Sequence, residues 1–270
     1  MRIDSASATD IGKLRTLNED AVLDRCPVFI VADGMGGHEA GEVASAIVVE
    51  ELTVLSQGEP TMDSVRDALH RAKLRIDGLS AKGAKRPAGT TVSGVVMVVM
   101  DGEPYWLVVN LGDSRTYHMA GGEVSQVSVD HSEAQEMIEA GRLDAEQART
   151  YKRRNVITRV LGAGTPERPD YWLLPVADHD RWLVCSDGLT TEVPDDEIAR
   201  LLTTEDTPQA IVDSLISASL MAGGHDNVSV VVVDAWRNET DAVVESTLDL
   251  PGQDDIDHTI ESLPVERVEP

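Results

Sequence analysis

Acidic residues recur beside glycine at the ends of strand-like segments of this chain. Asp33 and Gly34 follow the apolar run that begins at Val28, and Asp187 is followed by glycine after the run WLVC. A carboxylate and a free backbone carbonyl at an exposed strand end are oxygen ligands of the kind that a hard divalent cation prefers. Taken singly, each Asp-Gly pair is more typical of a turn. The pattern therefore indicates candidate metal ligands without identifying a site.

Further acidic residues occupy similar corners. Asp226 precedes the run VSVVVVDAW, Asp113 separates two strand-like runs in the segment GDSR, and Glu19 and Asp20 follow shortly after Arg15. Five acidic corners in one compact domain can converge on one edge of a pair of sheets. Sites for magnesium or manganese are assembled in this way from residues that are distant in sequence.

The segment VADGMGGHEAGE has a second interpretation. A strand, a glycine-rich loop and a helix also describe a nucleotide-binding cradle. However, the glycines at 34, 36 and 37 have neither the GxGxxG spacing nor the Lys-Ser/Thr of a phosphate-binding loop, and a bound phosphate would meet Asp33 directly. The sequence favours a metal over a nucleotide at this turn.

The elements that must position these residues alternate between groups of strands and pairs of helices. Short segments rich in β-branched residues predict strands at 27–32, 90–100, 105–111, 181–186 and 227–236. Apolar residues spaced by three or four predict helices at 40–55, 62–79, 195–202 and 208–221. This order lacks the regular alternation of a parallel doubly wound sheet, so we expect a layered α+β domain.

Composition limits the partners and the compartment. The chain has 270 residues with 48 acidic and 23 basic side chains, a formal charge of −25, which repels nucleic acid and anionic membranes and attracts cations. Most of these carboxylates are expected on the solvated surface. The longest apolar run, 92–100, is too short to span a membrane and no export signal is evident, which predicts a cytoplasmic protein. Cys26 and Cys185 are predicted to be buried, reduced thiols.

Residues 237–270 differ from the rest of the chain. They hold ten acidic residues against two basic ones, with three prolines and no strong periodicity. This composition predicts a domain at 1–236 followed by a disordered acidic tail. The tail could be a docking or phosphorylation segment around DHTI at 257–260, but a solubilising role is the favoured interpretation.

Eight motifs in a fixed order carry a resemblance to a known family. They are RTLNED, VADGMGGHEAGE, GTT, NLGDSR, DHS, VLG, CSDGL and GGHDNVSV, within about residues 5–236. Together they resemble the bacterial branch of the metal-dependent Ser/Thr protein phosphatases, the PPM or type 2C family. The resemblance implies a β-sandwich of two antiparallel sheets flanked by helix pairs, in α-β-β-α layers, with a dimetal centre at one end.

Residue by residue, the motif match implies a set of ligands for two Mn²⁺ or Mg²⁺ ions. Asp33 would bridge both ions, Asp187 and Asp226 would hold the first, and the carbonyl of Gly34 would hold the second. The remaining matches are Glu19 and Asp20 as support for the second ion, Asp113 as a ligand of a weaker third ion, and Arg15 as the clamp of the substrate phosphate.

The same resemblance implies hydrolysis of phosphoserine and phosphothreonine in proteins by metal-activated water, without a phosphoenzyme. The implied partners are Ser/Thr-phosphorylated proteins, including a cognate Ser/Thr kinase or its substrates, and the expected state is a monomer. Two alternatives are a catalytically silent module that binds phosphoproteins and a metal nuclease. No ligand is visibly lost, which argues against the first, and the charge of −25 argues against the second.

Histidines and the segment 132–162 raise separate questions. Met35 stands where many relatives have a histidine that is a proposed general acid. His38 could replace that histidine, or it could cap or pack at the start of the following helix, and a metal-bound water is a third option. His131 and His225 are expected to be hydrogen-bonded turn residues. The resemblance makes 132–162 a flap beside the active site. Its basic cluster at 152–154 is either a contact for acidic substrate flanks or a solvated surface run.

Overall fold

A computed structural model describes residues 1–36, 40–81, 87–237 and 266–268 of the chain. In this part of the chain, two antiparallel sheets pack against each other. The first sheet has five strands, in the spatial order β1 (Arg2–Asp10), β12 (Val228–Trp236), β11 (His179–Cys185), β7 (Arg115–Ala120) and β8 (Glu123–Gln126).

The second sheet has eight strands. Seven follow one another in the order β13 (Glu266–Val268), β10 (Asp170–Pro175), β6 (Glu103–Leu111), β5 (Val92–Met100), β3 (Val28–Met35), β4 (Gly89–Thr90) and β9 (Leu161–Gly162). The eighth, β2 (Asp20–Arg25), pairs with β3. The central strand β3 thus contacts β2, β4 and β5, so its end is fixed by several neighbours.

Helices cover the outer faces of both sheets. Apolar side chains of α1 (Ala40–Thr53) and α2 (Met62–Ala81) pack on the second sheet, and those of α6 (Asp195–Leu202) and α7 (Pro208–Ala222) pack on the first. Shorter helices are α3 (Glu133–Glu139), α4 (Ala145–Arg149) and α5 (Asp187–Thr190), and a 3₁₀ turn at Val54–Gln57 follows α1. This arrangement confirms the expected α-β-β-α layers.

The run of valines in β12 follows from its position between two layers. Val230 and Val232 pack with the helices of the first sheet, whereas Val231 and Val233 pack in the layer between the sheets. A strand that is covered on both faces is mostly apolar, so it loses the alternation of a half-exposed strand. The layer between the sheets also holds Trp106 and Trp182, whose ring centroids lie 5.8 Å apart.

Most predicted elements are confirmed, with shifts at their ends. The strand expected at 90–100 is divided into β4 and β5, and the strand expected at 27–32 continues as far as Met35. Several strands were missed, namely β1, β2, β7, β8, β9, β10 and β13. The prediction that Cys26 is buried was wrong: Cys26 is exposed in the turn between β2 and β3, while Cys185 is buried in β11.

Within the predicted acidic tail, only Arg237 and β13 are described. Backbone positions Glu266–Val268 pair antiparallel with Tyr171, Trp172 and Leu173 of β10. The disorder predicted for the rest of the tail concerns residues outside the described part of the chain. No helix in the described residues is both long enough and apolar enough to cross a membrane.

Candidate metal centre

Asp20 and Asp33 lie opposite each other in the β2–β3 pair. The Asp33 N–H donates to Thr91 Oγ1 at 3.0 Å, and the Asp33 carbonyl accepts from the Thr91 N–H at 2.8 Å and from Thr90 Oγ1 at 2.9 Å. These bonds fix the backbone at the point where β3 leaves the sandwich. Asp20 and Thr90, which lie 70 positions apart in two of the sequence motifs, are therefore brought together at the end of β3.

Asp187 reaches the same place from the first sheet. It is the first residue of α5, separated from the end of β11 by one residue, and its charge acts on the carboxyl of Asp33. The preceding Ser186 donates from Oγ to Asp20 Oδ2 at 2.8 Å and accepts from the Ser229 N–H at 3.0 Å. Ser186 thereby ties the two sheets together at the acidic cluster.

Asp226 stands at the rim of the cluster and pairs with Arg15. Arg15 Nη2 lies 2.5 Å from Asp226 Oδ2, and about half of the Arg15 side chain is exposed. The proposed phosphate clamp and one proposed metal ligand are thus already neighbours.

Asn227 positions the loop that carries Arg15 and Glu19. Its Oδ1 accepts from the Glu19 N–H at 2.9 Å, and its Nδ2 donates to the carbonyls of Ile11 and Leu17 at 2.9 and 3.0 Å. This role was missed in the sequence, although Asn227 directly follows Asp226 in the motif GGHDN. An amide that both donates and accepts can hold two backbone segments at once, which a carboxylate in its ionised form cannot do.

Gly34 and Glu19 are in close contact. The Gly34 N–H donates to the Glu19 carbonyl at 3.1 Å, and a Cβ on Gly34 would lie only 2.2 Å from the Gly41 carbonyl oxygen. Glycine is therefore required here by close backbone approach. Glu19 Oε1 is buried without a hydrogen-bond partner among the described residues.

Asp113 approaches the cluster from the loop between β6 and β7. It is only 8% exposed, and its Oδ1 is buried with no hydrogen-bond partner in the described part of the chain. The neighbouring Ser114 Oγ lies 2.7 Å from Thr91 Oγ1, the same hydroxyl that accepts from Asp33. Thr91 therefore links the backbone of Asp33 to the loop of Asp113.

Burial and mutual repulsion disfavour the ionised forms of the carboxyl groups in this cluster. Burial raises the pKa of Asp33 and of Asp113 well above the usual range, and the charges of neighbouring aspartates raise both further. Burial raises the pKa of Asp20 to about 7, against the opposing effect of hydrogen bonds from Ser229 and Ser186. The pKa of Asp187 is raised by burial and by Asp226. Nearby cations relieve such repulsion, because they favour the ionised carboxylates.

The residues fit a divalent metal in the type of their ligand atoms. All the ligand atoms are oxygens, and two of them are buried without a partner among the described residues. The raised pKa values belong to Glu19, Asp20, Asp33, Asp113 and Asp187. Within 1–36, 40–81 and 87–237, no three His, Cys, Asp or Glu side chains are grouped closely enough to hold one ion as they stand. Asp226 is paired with Arg15, so we expect the Asp226 side chain to rotate when an ion binds.

Residues 15–219 match the family described as protein phosphatase 2C. The chain belongs to this family. Serine/threonine protein phosphatase PstP of Mycobacterium tuberculosis is 34% identical over 233 residues, which is 85% of this chain and 44% of PstP. Serine/threonine phosphatase stp of Listeria monocytogenes is 32% identical over 240 residues, 84% of this chain and 93% of stp. The chain thus spans less than half the length of PstP and nearly all of stp.

Solved structures of the protein phosphatase 2C family share this fold. The catalytic domain of PstP, in complex with two manganese ions, is 32% identical with a TM-score of 0.78, covering 87% of this chain and 99% of that one. Another structure of M. tuberculosis PstP gives a TM-score of 0.81 at 33% identity, covering 87% of this chain and 99% of that one.

Beside the carboxylates of this protein phosphatase 2C domain lies a cavity of about 590 Å³. Asp113 and Asp187 line one side, and Arg149 and Arg154 of the segment 132–162 line another. In the predicted basic cluster, Arg153 pairs with Glu133 at 2.7 Å, whereas Arg154 borders the cavity. A larger groove of about 780 Å³ between α1 and α2 is not lined by any of the clustered aspartates.

Three histidines were considered in the sequence: His38, His131 and His225. His38 lies outside the described residues, so its predicted role stays a prediction. His225 places Nδ1 at 2.6 Å from Glu192 Oε1, and the buried His131 contacts Gly112 and Asp170. Both agree with the expectation of hydrogen-bonded turn residues.

Proposed function

We propose that this chain hydrolyses phosphoserine and phosphothreonine in proteins at a two-metal centre. The observation that carries the proposal is the convergence of Asp20, Asp33, Asp113, Asp187 and Asp226, from five separate segments, at one end of the sandwich. Membership in the protein phosphatase 2C family and the two manganese ions in the PstP structure support it.

The proposed ligands follow the sequence assignment. Asp33 would be shared by two Mn²⁺ or Mg²⁺ ions, Asp187 and Asp226 would help to hold the first, and the Gly34 carbonyl would help to hold the second. Glu19 and Asp20 would support the second ion, and Asp113 Oδ1, which is buried without a hydrogen-bond partner among the described residues, would be a ligand of a weaker third. Two such ions would supply an activated water as nucleophile and neutralise charge on the phosphoryl group.

The acids must lose their protons for this role. The raised pKa values of Asp20, Asp33 and Asp187 mean that part of the cluster is protonated without a cation. Ion binding therefore releases protons and becomes tighter as the pH rises.

Arg15 binds the phosphate of the substrate. Its guanidinium presents several donors in one plane, which matches two oxygens of a phosphate dianion better than an ammonium would. Half of the side chain is exposed at the rim, so a substrate can reach it, and the pairing with Asp226 holds it toward the cluster.

The chemistry proceeds without a phosphoenzyme. Cys185 is buried within β11, and burial raises its thiol pKa to about 12, so it is not a nucleophile at neutral pH. Cys26 lies in the β2–β3 turn, at the opposite end of β2 from Asp20. For the proton that the leaving alkoxide needs, His38 remains the candidate from the sequence.

The substrates in this proposal are Ser/Thr-phosphorylated proteins, including a cognate Ser/Thr kinase or the substrates of that kinase, and the working unit is a monomer. Neither nucleic acid nor a membrane surface suits a chain with a formal charge of −25.

A phosphothreonine peptide assay tests the proposal. We expect phosphate release by the full chain with Mn²⁺, none with excess chelator, and a loss of at least about a thousandfold in Asp33→Asn. The exposed Asp4, in β1, offers the control Asp4→Asn, which should retain activity. Equal turnover with metal and with chelator, no turnover in either, or full activity of Asp33→Asn would each refute the proposal.

A further inference from the structure

His131 is a buried imidazole at the junction of two functional segments. Its side chain is about 2% exposed, and none of the proposed metal or phosphate contacts uses it. On one side it contacts the loop that carries Asp113. On the other it directly precedes residues 132–162, the segment that borders the cavity beside the metal centre.

The contact to the Asp113 loop is a two-way backbone clamp. The Gly112 N–H donates to His131 Nδ1 at 3.1 Å, and the His131 N–H donates to the Gly112 carbonyl at 2.8 Å. Gly112 has a φ of +117°, and a Cβ there would lie 2.5 Å from Thr91 Cγ2. The loop is thus held between Thr91 and His131, immediately before Asp113.

The contacts on the other side close the base of 132–162. We call the residues that join its two ends, Ser132, Glu133 and 156–159, the flap base. Ser132 pairs with Ile157, the Glu133 N–H donates to the Val156 carbonyl at 2.9 Å, and the Thr158 N–H donates to the His131 carbonyl at 2.8 Å. Both ends of the segment therefore meet at His131.

Asp170 anchors the imidazole to the second sheet. Because the Gly112 amide donates to Nδ1, the ring proton lies on Nε2, which donates to Asp170 Oδ2 at 3.0 Å. Arg159 of the flap base donates from Nη1 to Asp170 Oδ1 at 3.3 Å, and the same Nη1 lies 3.1 Å from His131 Nε2, to which it cannot donate because that nitrogen carries the ring proton. Asp170 itself is paired in register with Asn110, whose Nδ2 donates to the Gly112 carbonyl at 3.2 Å.

We propose that His131 and Asp170 form a latch that holds the Asp113 loop and the flap base as one unit. His131 is a positioning residue in this proposal, since it contacts neither ions nor substrate. Its consequence for catalysis rests on the proposed function, because the latch fixes the distance between Asp113 and the wall of the cavity. The physical coupling itself requires no bound metal.

Two substitutions break the latch at opposite ends. In His131→Asn the side-chain oxygen occupies the place of Nδ1 and keeps the Gly112 bond but cannot reach Asp170. In His131→Gln the side-chain nitrogen occupies the place of Nε2 and keeps the Asp170 bond but loses Gly112. Amide hydrogen exchange of the full, metal-free chain then reports on Gly112 and on Glu133 and Thr158 separately.

If the Asp113 loop and the flap base are held as one unit, each substitution should accelerate amide exchange in both of them. We expect Glu133 and Thr158 to exchange about tenfold faster in His131→Gln, and Gly112 about tenfold faster in His131→Asn, although neither change removes a bond of those amides directly. Acceleration confined to Gly112 in His131→Gln and to the flap base in His131→Asn would overturn the proposal. So would unchanged exchange at all three amides.

A control separates the latch from a general loss of stability. His118 makes a second imidazole–carboxylate pair, with Nε2 at 2.6 Å from Asp180 Oδ1, but it stacks on Trp182 between the sheets. His118→Gln should leave the exchange of Gly112, Glu133 and Thr158 unchanged relative to core amides. If His118→Gln accelerated exchange at these amides as much as the His131 variants do, the proposal would be contradicted. If the His131 variants do not fold, Asp170→Asn should show a smaller acceleration at both places.

Phosphatase assays supply the catalytic readout. We expect the Mn²⁺ concentration for half-maximal turnover to rise severalfold in both His131 variants and to stay constant in His118→Gln. If the wild-type chain shows no turnover, the proposed function fails, while the exchange measurement still shows whether the latch couples the Asp113 loop to the flap base. If the wild-type chain is active and exchange is uncoupled, only the latch fails.

Discussion

Arg15 and Asp226, 211 positions apart in the chain, form an ion pair with 2.5 Å between Nη2 and Oδ2 at the rim of the acidic cluster. The side chain that we assign to the substrate phosphate is thus in contact with one that we assign to a metal ion. Nearby carboxylates, with Asp226 first, raise the pKa of Arg15, so it stays charged at any working pH.

Removal of the Arg15 charge should affect substrate use more than folding. We expect Arg15→Ala to lower kcat/KM on a phosphothreonine peptide by on the order of 100-fold, with partial recovery in Arg15→Lys. The pair with Asp226 is half-exposed, so the free energy of unfolding should fall by less than about 1 kcal/mol. The nearby exposed Lys13 provides the control Lys13→Ala, and an equal loss there would show that general charge, not Arg15, is responsible.

Neutralisation of Asp33 should stabilise the metal-free protein. Burial and four neighbouring aspartates raise the pKa of Asp33, so its ionised form opposes folding near neutral pH. We expect Asp33→Asn to increase the free energy of unfolding in chelator by about 1 kcal/mol or more, while the stabilisation by Mn²⁺ is lost. Urea denaturation with and without Mn²⁺ measures both effects. If Asp33→Asn were less stable than wild type in chelator, the neighbouring aspartates would not be repelling Asp33.

The free energy of unfolding of the metal-free protein should depend on pH through the protonation of Asp20. Its folded-state pKa of about 7 is above the value of about 3.9 in an unfolded chain, so the folded state binds a proton that the unfolded state lacks between these values. Stability from this group is present below about pH 4 and is lost as the pH rises toward 7. We expect wild type to lose on the order of 2 kcal/mol relative to Asp20→Asn between pH 5 and pH 8 in chelator.

Saturating Mn²⁺ should reverse that trend, because ions and protons compete for the same oxygens. Parallel pH profiles of wild type and Asp20→Asn in chelator would contradict the assignment of the raised pKa to Asp20.

Alanine substitutions at Gly34 and Gly78 should have opposite effects on the free energy of unfolding. A Cβ on Gly34 would lie 2.2 Å from the Gly41 carbonyl and 2.5 Å from the Glu19 carbonyl, whereas a Cβ on Gly78 in α2 meets nothing within 4 Å. We expect Gly34→Ala to destabilise the protein by about 2 kcal/mol or more and to weaken Mn²⁺ binding. Gly78→Ala should stabilise it by about 0.5–1 kcal/mol, because alanine favours a helix. Chemical denaturation of the two variants checks both signs, and a neutral Gly34→Ala would rule out the packing described here.

The sequence predicted the buried elements well because their burial determines their composition. β12, covered on both faces, has valine at five of its nine positions, and α6 begins and ends at the predicted residues. The sequence could not predict β1 in the same way. Its residues RIDSASATD are mostly small or polar, and β1 becomes a strand because β12 offers it nine consecutive pairing partners.

Candidate ligands were visible one by one, but their connections were not. Asp33 and Asp187 could be recognised at strand ends, whereas the bonds of Asn227 to Ile11 and Leu17 and of Ser186 to Asp20 depend on the packing of both sheets. The burial predicted for Cys26 was wrong because an apolar neighbourhood in sequence does not reveal that the residue lies in an exposed turn.

The most direct test of the account is a crystal structure of the full chain grown with Mn²⁺, with the ions located by their anomalous scattering. We expect two ions at the end of the sandwich, both in contact with Asp33, one also held by Asp187 and Asp226 and the other by the Gly34 carbonyl. A third, weaker ion is expected at Asp113. Ions bound elsewhere, or a single ion that does not contact Asp33, would contradict the two-metal centre proposed for this protein.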